Sequence, residues 1–128
     1  MWLKKKGATV PTGRLGESLA VEFLLGQCYI ILEKNYRKPF GEVDIIARDR
    51  DILVFVEVKT RHSAMFGTPF EAVDGRKQRQ ISRVAQEYLQ TRGLIDTPAR
   101  FDVIAVRLGR DNRAAAIDHL KNAFDFAL

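Results

Sequence analysis

The chain has 128 residues, of which 46% are hydrophobic and 29% are charged, and its formal net charge is +5. This composition is typical of a globular protein large enough for one hydrophobic core, and it excludes an intrinsically disordered chain. One cysteine and two distant histidines exclude an internal disulfide and a Cys/His zinc cluster, so any metal must be held by carboxylates, which favours magnesium or manganese.

Apolar patterning and charge also bear on location and partners. No apolar run approaches the roughly 20 residues of a membrane span, and no apolar segment follows the N-terminal lysines. We therefore expect neither a membrane span nor a signal peptide, and the expected location is the cytoplasm. The excess of positive charge suits a polyanion such as a nucleic acid, although many basic proteins bind none.

The predicted elements begin after a basic segment. Residues 1–12 are expected to form a mobile basic N-terminal arm, and residues 13–128 a single domain. Thr12 is a suitable N-cap for a helix over Gly13–Leu25, in which apolar residues recur at helical spacing. Gly26 can terminate this helix.

Strands make up most of the remaining chain, with one further long helix between them. The strand-like runs are Tyr29–Tyr36, Gly41–Ala47, Ile52–Thr60, Arg100–Leu108 and a shorter piece around Ala114–Leu120. The second and third runs are expected to pair as a hairpin, and an amphipathic helix is predicted over Glu71–Thr91. This order predicts an α/β fold with a mixed central sheet flanked by helices.

Charged residues within the hairpin carry the functional hypothesis. Side chains two apart in a strand share a face, so Glu57 and Lys59 project together. A two-residue turn at Arg50-Asp51 would place Asp44 opposite Glu57, whereas a three-residue turn would place them on opposite faces. Two facing carboxylates repel each other, and a divalent cation between them would turn that cost into binding energy.

This arrangement suits phosphodiester hydrolysis, in which a metal-bound water is the natural nucleophile. Lys59 would orient that water or stabilise charge growing on the phosphate. The plain alternative is an exposed Glu–Lys pair on an edge strand, which is the commoner interpretation of Glu57 and Lys59 taken alone. Glu17 has a plain explanation as a first-turn helix acid, but its apolar neighbours make it a candidate third metal ligand.

Basic residues after the hairpin and on the second helix are candidates for a DNA-facing surface. They are Arg61, Arg76, Arg79 and Arg83. The alternative for the helical arginines is a solvated helix face. Asp102 lies two residues after Arg100 and is expected to pair with it rather than to act in catalysis.

The sequence resembles a nuclease superfamily at these residues. Asp44 followed by Glu57-Val58-Lys59 resembles the core motif of the PD-(D/E)XK superfamily, whose restriction-endonuclease-like core is an α-β-β-β-α-β unit. The chain is more closely similar to the YraN-like family of small bacterial endonucleases, related to archaeal Holliday-junction resolvases. The matching motifs are Gly13-Arg14-Leu15-Gly16-Glu17, Gly41-Glu42-Val43-Asp44, Phe55 to Arg61, Phe66-Gly67-Thr68-Pro69, Glu71-Ala72-Val73 with Lys77, and Arg100-Phe101-Asp102-Val103.

The resemblance implies a magnesium-dependent endonuclease, with manganese as a substitute, acting on structured or branched DNA; RNA stays open. Asp44, Glu57 and Lys59 would be catalytic, Glu17 would join the two acids at the metal, and Lys77 would contact a phosphate. A homodimer is a further expectation, because resolvase-like proteins cut two equivalent strands. The alternatives are a nucleic-acid-binding protein with an inactive nuclease-like core, and a purely structural partner protein.

The apolar C-terminal run also leaves two alternatives. Residues Ala123–Leu128 could pack on the sheet of their own chain or on a second subunit.

Overall fold

The computed structural model describes residues 12–62, 73–111 and 113–128. Its elements are α1 (Thr12–Gly26), β1 (Ile30–Lys38), β2 (Gly41–Asp49), β3 (Ile52–His62), α2 (Gly75–Thr91), β4 (Ala99–Leu108) and β5 (Ala114–Phe124). The expected mobile arm, apart from Thr12 at the start of α1, lies outside the described residues. None of the helices in the described ranges is long and apolar enough to cross a membrane.

The five strands form one sheet in the order β1-β2-β3-β4-β5. Neighbouring strands are antiparallel except β3 and β4, which are parallel and are connected through α2. One hydrophobic cluster packs α2 against one face of the sheet, and a second packs α1 against the other. The predicted mixed sheet flanked by helices is therefore confirmed, and two strands follow α2.

The register of the β2–β3 hairpin is the one that a two-residue turn predicts, and its ladder ends one residue before Asp44 and Glu57. Asp49 pairs with Ile52, and the antiparallel ladder continues to Ile45 and Val56 without a shift. Arg50 has a φ of 58°, the left-handed conformation that tight hairpin turns use. The predicted two-residue connection is confirmed.

The sheet forks where this ladder ends. Beyond Ile45 and Val56 no further β2–β3 pair forms, although β2 stays paired with β1 as far as Gly41. Over the same length β3 stays paired with β4 as far as His62. The next residues along the two strands are Asp44 and Glu57, so both acids lie at the opening of the fork.

Helix α2 begins later than its apolar spacing predicts. Its first residue is Gly75 rather than Glu71, and Val73 is not helical. Asp74 is the N-cap, with a ψ of 179° and a side chain that accepts a hydrogen bond from Lys77 N at 2.9 Å. A capping aspartate satisfies an amide that would otherwise lack a partner, which explains the start of the helix at this position.

The C-terminal run packs on its own chain. Strand β5 extends to Phe124, beyond the predicted end at Leu120. The Phe126 ring lies edge-on to Phe101 with centroids 4.7 Å apart, and Ala127 N donates to Ser82 Oγ at 2.9 Å. These contacts hold residues 123–128 against the α2 face of the sheet.

A buried ionic network ties β4 to β5. Asp102 is fully buried; Arg100 Nε lies 3.0 Å from its Oδ1 and His119 Nε2 lies 2.7 Å from its Oδ2. Asn122 N also donates to Asp102, and Arg100 extends the network to Asp49 at 3.1 Å. The predicted pairing of Arg100 with Asp102 is confirmed, and every oxygen of Asp102 has a donor.

Helix α1 approaches β3 closely at Gly16. A Cβ added there would lie 1.9 Å from Thr60 Oγ1 and 2.9 Å from Thr60 Cβ. No other residue type fits this contact without displacement of the helix from the strand. Because Glu17 is the next residue, the contact also sets where that acid lies over the sheet.

Gly16→Ala should lower the free energy of unfolding by about 1–3 kcal/mol, the typical cost of overpacking. Urea unfolding measures the change. Gly13→Ala is the matched control in the same helix, because a Cβ there meets nothing within 4 Å. Thr60→Ala in the Gly16→Ala chain should recover part of the loss, and equal stability of Gly16→Ala and Gly13→Ala would contradict the packing argument.

Asp102→Asn should lower the free energy of unfolding by about 1–3 kcal/mol, because Arg100 and His119 lose a charged partner in the interior while Arg100 keeps Asp49 at 3.1 Å. Burial raises the pKa of Asp102, but hydrogen bonds from His119, Arg100 and Asn122 N together hold that pKa below its ordinary value. Stabilisation by Asp102 is therefore complete above the unfolded-state pKa of about 3.9 and is lost as pH falls through the folded-state pKa.

Acid unfolding followed by circular dichroism should show a smaller loss of stability below about pH 4 in Asp102→Asn than in the wild type. Asp118→Asn, at an exposed position of β5, is the control. If stability fell equally with decreasing pH in Asp102→Asn and in Asp118→Asn, the result would be evidence against the ionic role of Asp102.

Candidate metal and nucleic-acid site

Glu57 is the central acid at the fork. Only 4% of the residue is exposed, and its Oε2 lies 3.3 Å from Lys59 Nζ and 3.4 Å from Lys77 Nζ. Its other oxygen, Oε1, is buried and has no hydrogen-bond partner. Such an oxygen carries a desolvation cost that a bound cation would offset.

Asp44 is held by the backbone of the opposite strand. Its Oδ2 accepts a hydrogen bond from Val58 N at 2.8 Å, so the side chain replaces a ladder partner that β2 no longer supplies. Burial, the charge of Glu57 and, to a lesser degree, the charge of Glu17 raise the pKa of Asp44 to about 8, although the Val58 hydrogen bond acts the other way. The surroundings of Asp44 therefore favour its neutral, protonated form over the carboxylate.

Glu17 lies near Asp44 on the face of the sheet that is covered by α1. Burial and then the charges of Glu42 and Glu57 raise its pKa, while a hydrogen bond from Asn35 lowers it. Its charge in turn raises the pKa of Asp44. The fork therefore lets acids from α1, β2 and β3 act on one another, although α1 lies on the face opposite α2.

Asn35 positions Glu17 and is not among the residues predicted from the sequence. Asn35 has a φ of 52°, and the amide orientation that satisfies its surroundings donates to Glu17 Oε1 at 2.8 Å and to Glu42 Oε2 at 3.1 Å. The available signal was an asparagine inside a β-rich run, because Asn disfavours strands and tolerates the left-handed conformation.

The acids have the oxygen chemistry of a magnesium site but are not arranged as a complete one. Carboxylates are the ligands that hard divalent cations prefer, and the unpartnered Glu57 oxygen together with the destabilised Asp44 anion fits such a cation. Within the described ranges, however, no three Asp, Glu, His or Cys side chains already form a group able to hold a metal ion. Asp44 and Glu57 could hold one, with Glu17 nearby.

The predicted basic residues have different surroundings in the structure. Lys77, for which a phosphate contact is predicted, has its Nζ 3.4 Å from Glu57 Oε2. Arg76 and Arg79 are exposed on α2, and Arg61 donates to the carbonyl of the preceding residue at 3.0 Å. Arg83 is exposed with its guanidinium 4.7 Å from the Phe40 ring centroid.

Three adjoining depressions form a groove past Glu17 and Asp44, and neither Glu57 nor Lys59 is part of its lining. The first, about 490 Å³, includes Glu17 and Asp44 in its lining, and the second, about 380 Å³, shares Glu17 with it. The third, about 520 Å³, shares Glu42 with the second and continues to α2. The exposed basic side chains along this groove are Arg14, Lys34, Arg37 and Arg83. Only Arg83 was a candidate from sequence, because the other three reach the groove through α1 packing and the β1–β2 pairing.

Asp44→Asn should stabilise the protein by at least about 1 kcal/mol at pH 8, the equivalent of one pKa unit. Folded Asp44 retains its proton up to about pH 8, whereas an unfolded aspartate loses it near pH 4, so rising pH destabilises the wild type between these values. Asparagine keeps an oxygen for Val58 N and does not ionise.

Urea unfolding at pH 5 and pH 8 in the presence of a chelator measures this effect. The advantage of Asp44→Asn should shrink at pH 5, and Asp96→Asn, at an exposed position, should show no such pH dependence. A difference of the same size at both pH values would refute the assignment of a raised pKa.

Comparison with known proteins identifies the family. A family model described as "Uncharacterised protein family UPF0102" matches residues 16–106. A "UPF0102 protein" of Moorella thermoacetica is 49% identical over 112 residues, covering 88% of this chain and 93% of that protein. Another, of Geotalea daltonii, is 52% identical over 115 residues, covering 90% of each chain. The YraN-like assignment made from the sequence motifs is thus confirmed at the level of the family, and the chain belongs to the uncharacterised protein family UPF0102.

Proposed function

We propose that this protein is a magnesium-dependent endonuclease that hydrolyses phosphodiester bonds of DNA, with structured or branched DNA as its substrate. The proposal includes a restriction-endonuclease-like core of the PD-(D/E)XK type. The observation that carries it is the position of Asp44 and Glu57 at the fork, with Lys59 Nζ 3.3 Å from the Glu57 carboxylate. Acids that repel one another and a buried oxygen without a partner lower stability, which a purely structural sheet would avoid.

Each residue of the proposed site has a distinct task. Asp44 and Glu57 would hold the metal, and Glu17 would add negative charge from the opposite face of the sheet. The metal, Mg²⁺ or Mn²⁺, would supply an activated water and neutralise charge on the phosphate. Lys59, next to Glu57, would place a positive charge beside the scissile phosphate and stabilise the charge that grows there during cleavage.

The groove supports a nucleic-acid substrate. Its exposed cations, Arg14, Lys34, Arg37 and Arg83, lie along the same depressions as Glu17 and Asp44, and the chain has a net charge of +5. Phosphates along the groove would pair with these side chains and release counterions, which makes the affinity depend on salt. Contacts to the sugar-phosphate backbone would position the DNA strand without reading its base sequence. This agrees with a DNA substrate that is recognised by its shape.

A second candidate function has its own supporting observation. Glu57 already pairs with two lysines, and the described part of the chain holds no ready group of three metal ligands. A nucleic-acid-binding protein with an inactive nuclease-like core would have these properties. Calorimetry with Mg²⁺ or Mn²⁺ separates the two functions, because the inactive core would bind no metal at millimolar concentration with or without DNA.

A homodimer stays part of the proposal without support from the C-terminal run. Residues 123–128 pack on the sheet of their own chain through Phe126 and Ala127, so a second subunit would have to use another surface.

Lys59→Ala should abolish cleavage, with a loss of at least about 100-fold, because it removes the positive charge that the proposal places beside the scissile phosphate. A panel of radiolabelled four-way junction, flap and duplex DNA, incubated with Mg²⁺ or Mn²⁺, measures the rate. Lys121→Ala, at an exposed position of β5, is the matched control, and circular dichroism checks the fold of both variants. Undiminished cleavage by Lys59→Ala would refute the mechanism.

A further inference from the structure

We infer that Lys77 competes with the metal for Glu57, so that metal and DNA bind this protein cooperatively. The inference rests on the proposed function and adds a means of regulation to the same site. Lys77 belongs to α2, whereas the acids belong to α1, β2 and β3. Its Nζ lies 3.4 Å from Glu57 Oε2, on the same oxygen that Lys59 approaches at 3.3 Å.

Two ammonium groups face one carboxylate, and one of them is enough to neutralise it. Lys59 is on the same strand as Glu57, two residues away, and its side chain is 20% exposed. Lys77 reaches Glu57 from a neighbouring element, and its side chain is 35% exposed. Lys77 is therefore the lysine that can leave Glu57 for a phosphate at lower cost.

The backbone of Lys77 is held while its side chain extends to the acid. Its amide donates to the N-cap Asp74 at 2.9 Å, which fixes the start of the first turn of α2. Movement of the ammonium group therefore needs only rotation within the four-carbon side chain, with no shift of the helix. Lys77 is suited to exchange between a carboxylate and a nearby phosphate.

Competition with the metal follows from charge and burial. A divalent cation at Glu57 would lie beside two ammonium groups, and repulsion between them is weakly screened because Glu57 is 96% buried. Departure of Lys77 removes one of these charges and leaves Glu57 and Asp44 able to share a cation.

Cooperativity follows from the same exchange. A DNA phosphate near the site attracts Lys77 away from Glu57 and so raises the affinity of the acids for the metal. By linkage, bound metal releases Lys77 and raises the affinity for DNA by the same factor. In the absence of DNA, the protein would bind the metal weakly.

The test is a calorimetric titration of Mn²⁺ into the full chain, alone and with a four-way junction whose phosphorothioate backbone resists hydrolysis. In the wild type, DNA should raise the Mn²⁺ affinity by about 10-fold. Lys77→Gln should raise the Mn²⁺ affinity of the DNA-free protein by a similar factor and reduce the DNA-induced gain to less than about 2-fold. Lys77→Arg, which keeps the charge, should bind Mn²⁺ as weakly as the wild type.

Lys121→Gln is the control for removal of an exposed positive charge and should behave as the wild type. If Lys77→Gln does not fold by circular dichroism, Lys77→Met serves in the same titration. Unchanged or weaker Mn²⁺ binding by the neutral variant, or an undiminished gain with DNA, overturns the inference and leaves the proposed nuclease intact. Failure of the wild type to bind Mn²⁺ with and without DNA overturns both.

Discussion

The end of the β2–β3 ladder at Ile45 and Val56 is the constraint on which the candidate site depends. Where the backbone pairing stops, Val58 N still needs an acceptor, and the Asp44 carboxylate supplies one. This single hydrogen bond brings a side chain into the position of a missing strand partner. The gap between β2 and β3 also lets Glu17, Asp44 and Glu57 interact electrostatically across a sheet that would otherwise separate them.

The acids around Asp102 and those at Asp44 and Glu57 differ in whether their buried oxygens have donors and in the direction of their pKa shifts. Asp102 has donors on both oxygens and a lowered pKa, which is the expected state of a carboxylate that stabilises the fold. Asp44 has a raised pKa, and Glu57 has an unpartnered buried oxygen. A buried acid with a raised pKa and a buried oxygen without a partner lower stability, and such groups are found more often at functional sites than elsewhere.

Apolar spacing predicted the helices and strands well. The predicted ends of α2 and β5 were wrong where a contact from a residue outside the spacing pattern set the boundary. The start of α2 moved to Gly75 because Asp74 caps the helix, although apolar periodicity favoured Glu71. Strand β5 continued to Phe124 because its aromatic ring stacks on Phe101 across the sheet, with centroids 4.8 Å apart. Propensity and spacing describe one segment at a time, so they do not include such partners.

The sequence by itself determined the hairpin register, because it follows from the two-residue period of a strand and the length of one turn. Only the tertiary structure decided that Lys77 pairs with Glu57 and that Asn35 holds Glu17. These contacts join elements distant in the chain, and their geometry depends on how α1 and α2 pack on opposite faces of the forked sheet. Spacing along one segment carries no information about such packing.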